Sequence, residues 1–414
     1  MAKMFWGHVY FEDIYAGRLQ QEPGDRSSFS YDSSYLEAGG PPIAHTLPLR
    51  ERPSISEKGL PPFFDNLIAE GWLKNAQARS LGLHPDHRFE LLLGFGFDLA
   101  GAVSVRDPDP GEKRILNHLD EATAAALLGR ASLSGIQKKL MMVKEGRGWR
   151  PTGPEELSTH IAKLASGPLT DLIELEYLTT EATRILLPGD DIVSPQIVDL
   201  PSIKERALLI ARFDRVITEK GVKRIHFEEF NQLLDKPSGD AKYEGAYEDM
   251  GRFLLETPGC IPAEADRLLR RILACLLAGN TDAHFKNFAL FHTRDGFRLT
   301  PAYDLVASSL YPEYQTIALR TAGIRDLALA LLKPKHLLSL GKPFGSNEEA
   351  VVAAVEEIGK RLPKALETIA RTDAAPKTLR EKLIRHMEKR WKGSFTSTGP
   401  LLSKRRGKGA KRKS

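Results

Sequence analysis

Cysteine is nearly absent: Cys260 and Cys275 are the two in 414 residues, too few for a disulfide framework or a cysteine-based zinc site. Long apolar runs are missing as well. The longest, ILACLLAG over Ile272–Gly279, follows directly on two arginines and falls well short of the roughly 20 residues that a membrane-spanning helix needs. The N-terminal MAKMFWGHVYF lacks an extended apolar core with a small-residue cleavage site, so no export signal is expected and the expected compartment is the cytoplasm. No G-x-S-x-G element occurs, which removes support for a hydrolase built on a nucleophile elbow. Internal repeats are lacking, and there is no long low-complexity tract ahead of the C-terminal end.

What is present is globular: 42% hydrophobic and 27% charged residues, with length for two or three domains at roughly 150 residues each. The net charge of +5 misleads, because the last eleven residues, KRRGKGAKRKS, hold seven lysines and arginines and no acid. Taking those 7 from +5 leaves the rest of the chain at −2, so the basic balance belongs to a tail. Residues 396–414 are expected to be a disordered, solvated end, with sequence-independent contact to a polyanion as the alternative.

Along the chain, Phe5–Phe11 and Ile14–Leu19 are β-like runs at hairpin spacing, and Phe29, Tyr31 and Tyr35 suggest a further strand. From Pro61 to Gly82 apolar residues recur at helical spacing, which predicts one helix with Pro62 in its first turn. Phe63, Phe64 and Trp72 are expected to pack an N-terminal subdomain. Phe89–Val105 reads as helix, Gly-containing turn and strand, and the Pro/Asp/Gly cluster at 107–112 marks a first boundary. Strands dominate from 132 to 164, a capped helix is predicted over Asp171–Leu187, and Gln196–Leu200 with Ala207–Phe213 read as a strand pair. Beyond His226 the pattern turns helical. A β-rich part followed by a helical part permits a two-lobed module.

The chemistry concentrates in GNTDAHFKNF, Gly279–Phe288, where Asp282 and Asn287 stand five apart between a helix and a β-like pair. That spacing lets an aspartate accept a hydroxyl proton while the asparagine carbonyl binds Mg²⁺, as in kinase catalytic loops, although the pair alone is weak evidence and two polar turn residues are the plainer reading. Order strengthens it. Asp304, in PAYDL, follows Asn287 by seventeen residues, where a metal-binding carboxylate is needed. Upstream, THIAKL puts Lys163 in a β-like segment that can reach phosphates, and the next helix offers Glu174, Glu176 and Glu181 as ion-pair partners. The usual Gly-rich loop is replaced by RASLSGIQKKL, Arg130–Leu140, whose backbone N–H groups can cradle phosphates or simply form a capped turn. His284 and His292 are read as a site residue and a strand residue rather than zinc ligands, and Cys275 as core.

Taken in order, THIAKL, RFDR at Arg212–Arg215, TDAHFKNF and TPAYDL resemble the HipA family of serine/threonine protein kinases, the toxins of two-component toxin–antitoxin systems. FFDNLIAEGW and LAGAVSV resemble that family's small N-terminal subdomain. The resemblance implies an α+β, kinase-like fold: a subdomain over 1–110, a β-rich N-lobe over 111–225, a helical C-lobe over 226–395, then the tail. It implies Asp282 as catalytic base, Asn287 and Asp304 as Mg²⁺ ligands, and Lys163 as the ATP-phosphate lysine. Ser134, Gly135, Ile136, Gln137, Lys138 and Lys139 would form the phosphate loop; Ala211, Arg212 and Phe213 the adenine-contacting hinge; His284, Lys286 and Tyr303 would line the nucleotide. Ala211 departs from the family, where an acid can stand. Ser132 or Ser134 would be the autophosphorylated regulatory serine. ATP and Mg²⁺ are the implied cofactors. A helix-turn-helix antitoxin of the HipB type, operator DNA reached through it, and an aminoacyl-tRNA synthetase as substrate are the implied partners. The alternative is a DNA-bound co-repressor or scaffold with a vestigial nucleotide site.

Overall fold

The computed structural model describes residues 4–109, 121–128, 137–165, 171–201 and 203–410. Ser132, Ser134, Gly135 and Ile136 lie outside these, as do residues 110–112 of the expected boundary. The chain packs as two compact units, residues 1–170 with 196–242 and residues 171–195 with 243–414. This division differs from the three-part expectation. In packing, the helix after Asp171, expected in the N-lobe, goes with the second unit, and 226–242, expected in the C-lobe, with the first.

The first unit holds two five-stranded antiparallel sheets and the strand pair Arg215–Thr218 with Gly221–Arg224. In the first, β1 (Trp6–Phe11), β2 (Ile14–Glu22), β3 (Arg26–Tyr31), β4 (Ser54–Ser56) and β5 (Val103–Arg106) run in the order β4-β3-β2-β1-β5. Alternation turns Val9, Phe11, Leu19, Phe29 and Tyr31 into one core with Phe63, Phe64 and Leu91. Tyr35 does not continue a strand. The Asp32 carboxylate accepts the Ser34 N–H at 2.9 Å and starts the helix Ser33–Glu37, so Tyr35 stacks on Tyr31 instead, ring centres 5.9 Å apart. The single helix expected after Pro61 is likewise two, Pro62–Asp65 and Gly71–Leu81, because Glu70 is extended and Gly71 takes φ +56°. Gly82 closes the second with a left-handed cap at φ +68°.

In the second sheet, β6 (Lys139–Glu145), β7 (Gly148–Pro151), β8 (His160–Leu164), β9 (Gln196–Leu200) and β10 (Glu205–Ala211) run β7-β6-β8-β10-β9. One face presents Leu140, Met142, Ala162, Leu164, Ala207 and Leu209 to Leu73, Ala122 and Ala126. Trp72 packs on this core and not on that of the N-terminal sheet.

Between the two sheets lies a buried ionic cluster. Arg212 donates to Asp214 through Nε (2.9 Å) and Nη2 (2.6 Å), and its Nη1 lies 3.3 Å from Asp98. Arg215 reaches Asp98 at 2.7 Å and Asp214 at 2.8 Å, and Ser158 Oγ donates to Asp98 at 2.6 Å. Both guanidinium groups also donate to the Leu99 carbonyl, at 2.9 and 2.7 Å, and Arg224 donates to that of Phe97 at 3.0 Å. Residues 97–101, just ahead of β5, are thus held by side chains from the segment after β10 and from the strand pair that follows it. Burial by itself would raise the Asp98 and Asp214 pKa values; the facing arginines reverse this, leaving Asp98 lowered and Asp214 at about 2.

The second unit is mainly helical: Leu172–Leu186, Tyr247–Glu256, Pro262–Ala278, Glu348–Arg371 and Lys377–Arg390. Asp171 precedes the first of these without a side-chain capping bond, contrary to the expected cap. The expected disordered end is a helix over Thr398–Ala410, in which Arg405 pairs with Glu348 at 2.5 Å; residues 411–414 lie outside the described ones. Among the described residues no helix is long and apolar enough to cross a membrane.

Replacing Asp98 by Asn strips the carboxylate charge from Arg212 and Arg215 and is expected to destabilise the chain by about 3–5 kcal/mol, read as a lower urea midpoint. Since Asp98 and Asp214 titrate below their unfolded values, their contribution is present above the unfolded value of about 4 and is lost as the pH falls below it, for Asp214 toward 2. Acid unfolding of the wild type should fall in that window.

Candidate active site

The helix Pro262–Ala278 is buried along most of its length and stops at Gly279, whose φ of +87° turns the chain into the loop. A β-carbon there would lie 2.4 Å from both Ser309 Oγ and His386 Nε2, so the turn requires glycine twice over. Side chains then hold the loop by its backbone. Ser308 Oγ accepts the N–H groups of Thr281 (2.9 Å) and Asp282 (3.2 Å), Ser309 Oγ donates to the Gly279 carbonyl (2.7 Å), and Tyr247 Oη donates to that of Ala283 (2.9 Å).

With its backbone fixed, Asp282 presents a half-buried carboxylate that accepts the Tyr243 hydroxyl at 3.0 Å. His284 N–H donates to Asn287 Oδ1 at 2.9 Å, closing the short turn Phe285–Asn287 that aims the Asn287 amide. Asn287 Nδ2 lies 2.8 Å from Asp304 Oδ2. Asp304 takes φ +57°, a left-handed conformation that aspartate tolerates better than most residues, and its carbonyl accepts from Asn280 Nδ2 at 3.3 Å. Tyr303 Oη donates to the Lys286 carbonyl at 2.8 Å, tying the Asp304 segment back to the loop. The expected set Asp282, His284, Lys286, Asn287, Tyr303 and Asp304 is therefore gathered within one unit. Here the Asn287 amide nitrogen donates to the Asp304 carboxylate while the amide oxygen accepts from His284; an amide that turned its oxygen to the carboxylate's side would complete a ligand pair suited to a hard divalent cation.

The residues expected to meet phosphate lie in the first unit. In β8 Lys163 pairs with Lys139 of β6, so both sit on the sheet face opposite the apolar core; Lys163 is buried. Two lysines side by side on one face make an anion-attracting pair. Lys138 alternates to the other side, its ammonium 5.4 Å from the Trp72 ring centre, and Gln137 Nε2 donates to the Leu164 carbonyl at 3.0 Å. These two side chains act within the fold. Arg212, expected in the hinge, spends its guanidinium on the ionic cluster and its backbone N–H on the Thr159 carbonyl at 2.9 Å; Ala211 is exposed at the end of β10 and Phe213 packs on Phe227. Of the acids offered for a lysine partner, Glu181 is paired with Arg184 at 3.0 Å, while Glu174 and Glu176 are buried.

Tyr243, Tyr247, Ser308 and Ser309 escaped the sequence reading. Ser308 and Ser309 close the run PAYDLVASS, whose position four and five residues after Asp304 was the available signal.

Comparison with known proteins decides the family. A model of the HipA-like C-terminal domain matches residues 131–366, and one of the HipA N-terminal domain matches residues 7–106. The chain belongs to the HipA family. Among its relatives, the Sinorhizobium fredii protein Y4dM, which carries a kinase name, is 33% identical over 335 residues, 75% of each chain. The serine/threonine-protein kinase toxin HipA of Shewanella oneidensis is 25% identical over 407 residues, 88% of this chain and 89% of that one. The HipA chain of the solved S. oneidensis complex of HipA, HipB and operator DNA aligns at TM-score 0.74 and 22% identity, over 95% of this chain and 99% of that one. The fold is accordingly α+β and kinase-like. Lys163, Asp282, Asn287 and Asp304 all fall in the stretch matched by the HipA-like C-terminal domain.

In this HipA-family chain the C-terminal helix Lys377–Arg390 supports the loop through His386, whose Nε2 lies 2.9 Å from Ser309 Oγ. Burial first, then Arg390, Lys389 and Lys382, push the His386 pKa down to about 4. Between that value and the usual 6.5 or so the unfolded chain binds the proton first, so stability falls with pH across this window. Going from pH 7 to pH 5 should cost about 2 kcal/mol more in the wild type than in His386→Gln, measured as the change in urea midpoint.

Proposed function

We propose that this chain is an ATP- and Mg²⁺-dependent protein kinase that transfers the γ-phosphoryl group to a protein serine or threonine, and that it acts as the toxin of a toxin–antitoxin pair. The observation that carries the reading is the contact between the Asn287 amide and the Asp304 carboxylate, 2.8 Å, with Asn287 on the same short loop as Asp282. In this reading Asp282 takes the proton of the acceptor hydroxyl as its oxygen bonds to the γ-phosphorus and ADP leaves. Lys163 and Lys139 hold phosphate oxygens. Asn287 and Asp304 would hold Mg²⁺, which when bound supplies charge neutralisation of the phosphates. The loop containing Ser132 and Ser134 would be the site of an inhibitory autophosphorylation, since added phosphate beside ATP phosphate repels. A translation component, an aminoacyl-tRNA synthetase in particular, is the substrate class that the family resemblance supports.

Asp282→Asn and Asp304→Asn should fail differently. The first should keep most of the ATP affinity and lose phosphoryl transfer; the second should lose the Mg²⁺-dependent part of ATP affinity, about tenfold or more, as read by calorimetric titration with and without Mg²⁺. Equal losses of affinity would refute the assignment.

The partner side of the proposal, a HipB-type antitoxin carrying the kinase to operator DNA, draws support from charge. Residues 377–414 contain fourteen lysines and arginines against Glu381 and Glu388, leaving the rest of the chain net negative. Lys404 and Arg405 are exposed on the last helix. Deleting 404–414 should weaken operator binding by the antitoxin complex and lower its salt slope by several units, with the kinase rate unchanged. An unchanged slope would remove this contact.

A further inference from the structure

The contact of Tyr243 with Asp282 serves neither the loop's backbone nor a metal pair. Its hydroxyl donates to Asp282 Oδ1 at 3.0 Å. A general base must stand about 2.6–3.2 Å from the oxygen whose proton it takes, so this contact has the length and polarity of an acceptor hydroxyl on its base. We propose that Tyr243 occupies the seat of the acceptor hydroxyl, as a tethered mimic that an incoming substrate oxygen must displace. The inference rests on the kinase reading of Asp282.

Three observations favour an occupant over a clamp. Asp282 is placed without Tyr243: Ser308 Oγ accepts the Thr281 and Asp282 N–H groups, and the Asp282 carbonyl accepts the His284 N–H at 2.9 Å. The segment after Tyr243 is laid along the loop and delivers the phenol to it. A β-carbon on Gly245 would fall 2.5 Å from the Phe285 ring, and Tyr247 donates to Ala283, so the chain passes as close as glycine allows. Finally, Tyr243 is only partly buried and meets His284 edge-on, ring centres 5.0 Å apart, a contact that leaves rotation about its side-chain bonds as the route of exit. The phenol is a poor match for a protein serine in reach, since its oxygen sits at the end of a rigid ring. It blocks the base while it stays.

Water is the acceptor that needs no identified substrate. In Mg²⁺-ATP hydrolysis a water oxygen bonds to the γ-phosphorus, its proton passes to Asp282, and the bond to ADP breaks, so ADP release reports access to the base. Tyr243→Phe removes only the competing hydroxyl and keeps the ring against His284. Using the full chain, the expected result is a rise of about fivefold in ADP release at saturating Mg²⁺-ATP, with KM for ATP unchanged and the thermal midpoint within a degree or so of wild type; the fold-change corresponds to the net worth of one hydrogen bond. An equal or lower rate in Tyr243→Phe would overturn the proposal and make Tyr243 a residue that orients the base. The Asp282→Asn chain separates the two levels of failure. If ADP release persists without Asp282, the kinase reading fails and the inference with it; if release needs Asp282 but does not rise in Tyr243→Phe, the inference alone fails.

Discussion

Everything in the first unit depends on two carboxylates, Asp98 and Asp214, shared among arginines in a region from which water is excluded. Charges so placed are costly to bury, and the attraction between them offsets that cost only when every lone pair finds a donor. Asp98 satisfies this with Arg212, Arg215 and two donors from Ser158, and Asp214 with both arginines and the Gly101 N–H. Such a geometry admits one arrangement. The two sheets of the unit therefore have a fixed relation, and β10, which ends at Ala211 directly before Arg212, is fixed with them. The ionic cluster is a device of register more than of adhesion.

In the second unit the same job falls to hydroxyl groups. Ser308, Ser309 and Tyr247 each bond to the backbone of the loop, leaving the Asn287 and Asp304 side chains to meet each other and the Asp282 carboxylate to meet Tyr243. The backbone conformations that this requires, left-handed at Gly279 and Asp304, fall at one residue that has no β-carbon and one whose short polar side chain tolerates them. Strain is confined to the two ends of the site.

How much of this could be read from residues alone follows from the range of the interactions. Period-two alternation in β1 and β6 and the helical spacing of Pro262–Ala278 are local, and they were legible. So was the Asp282, Asn287, Asp304 series, because a loop and a hairpin separate its members by a constant distance along the chain. The break at Gly71 was not, since a glycine at the start of a helix is indistinguishable from one inside it until its φ is known. Arg212 was read as hinge because the motif RFDR names neighbours in sequence, whereas its partners Asp98 and Ser158 lie 114 and 54 residues away. The C-terminal helix over Thr398–Ala410 was missed for a different reason: its composition is that of a solvated tail, and its pairing with Glu348 comes from a distant helix. Tyr243 carried no signal of any kind before its hydroxyl was seen on Asp282.

One consequence of β6 remains. Lys138 and Lys139 are adjacent and chemically the same, yet alternation gives them opposite sides of the sheet, one over Trp72 and one beside Lys163. Identity therefore lies in phase and not in residue type. Exchanging either lysine for the other changes nothing, but a slip of β6 by one residue against β8 would turn the strand over, carry the ammonium meant for the anion-attracting face into the apolar core, and place Met142 and Leu140 where charge is needed.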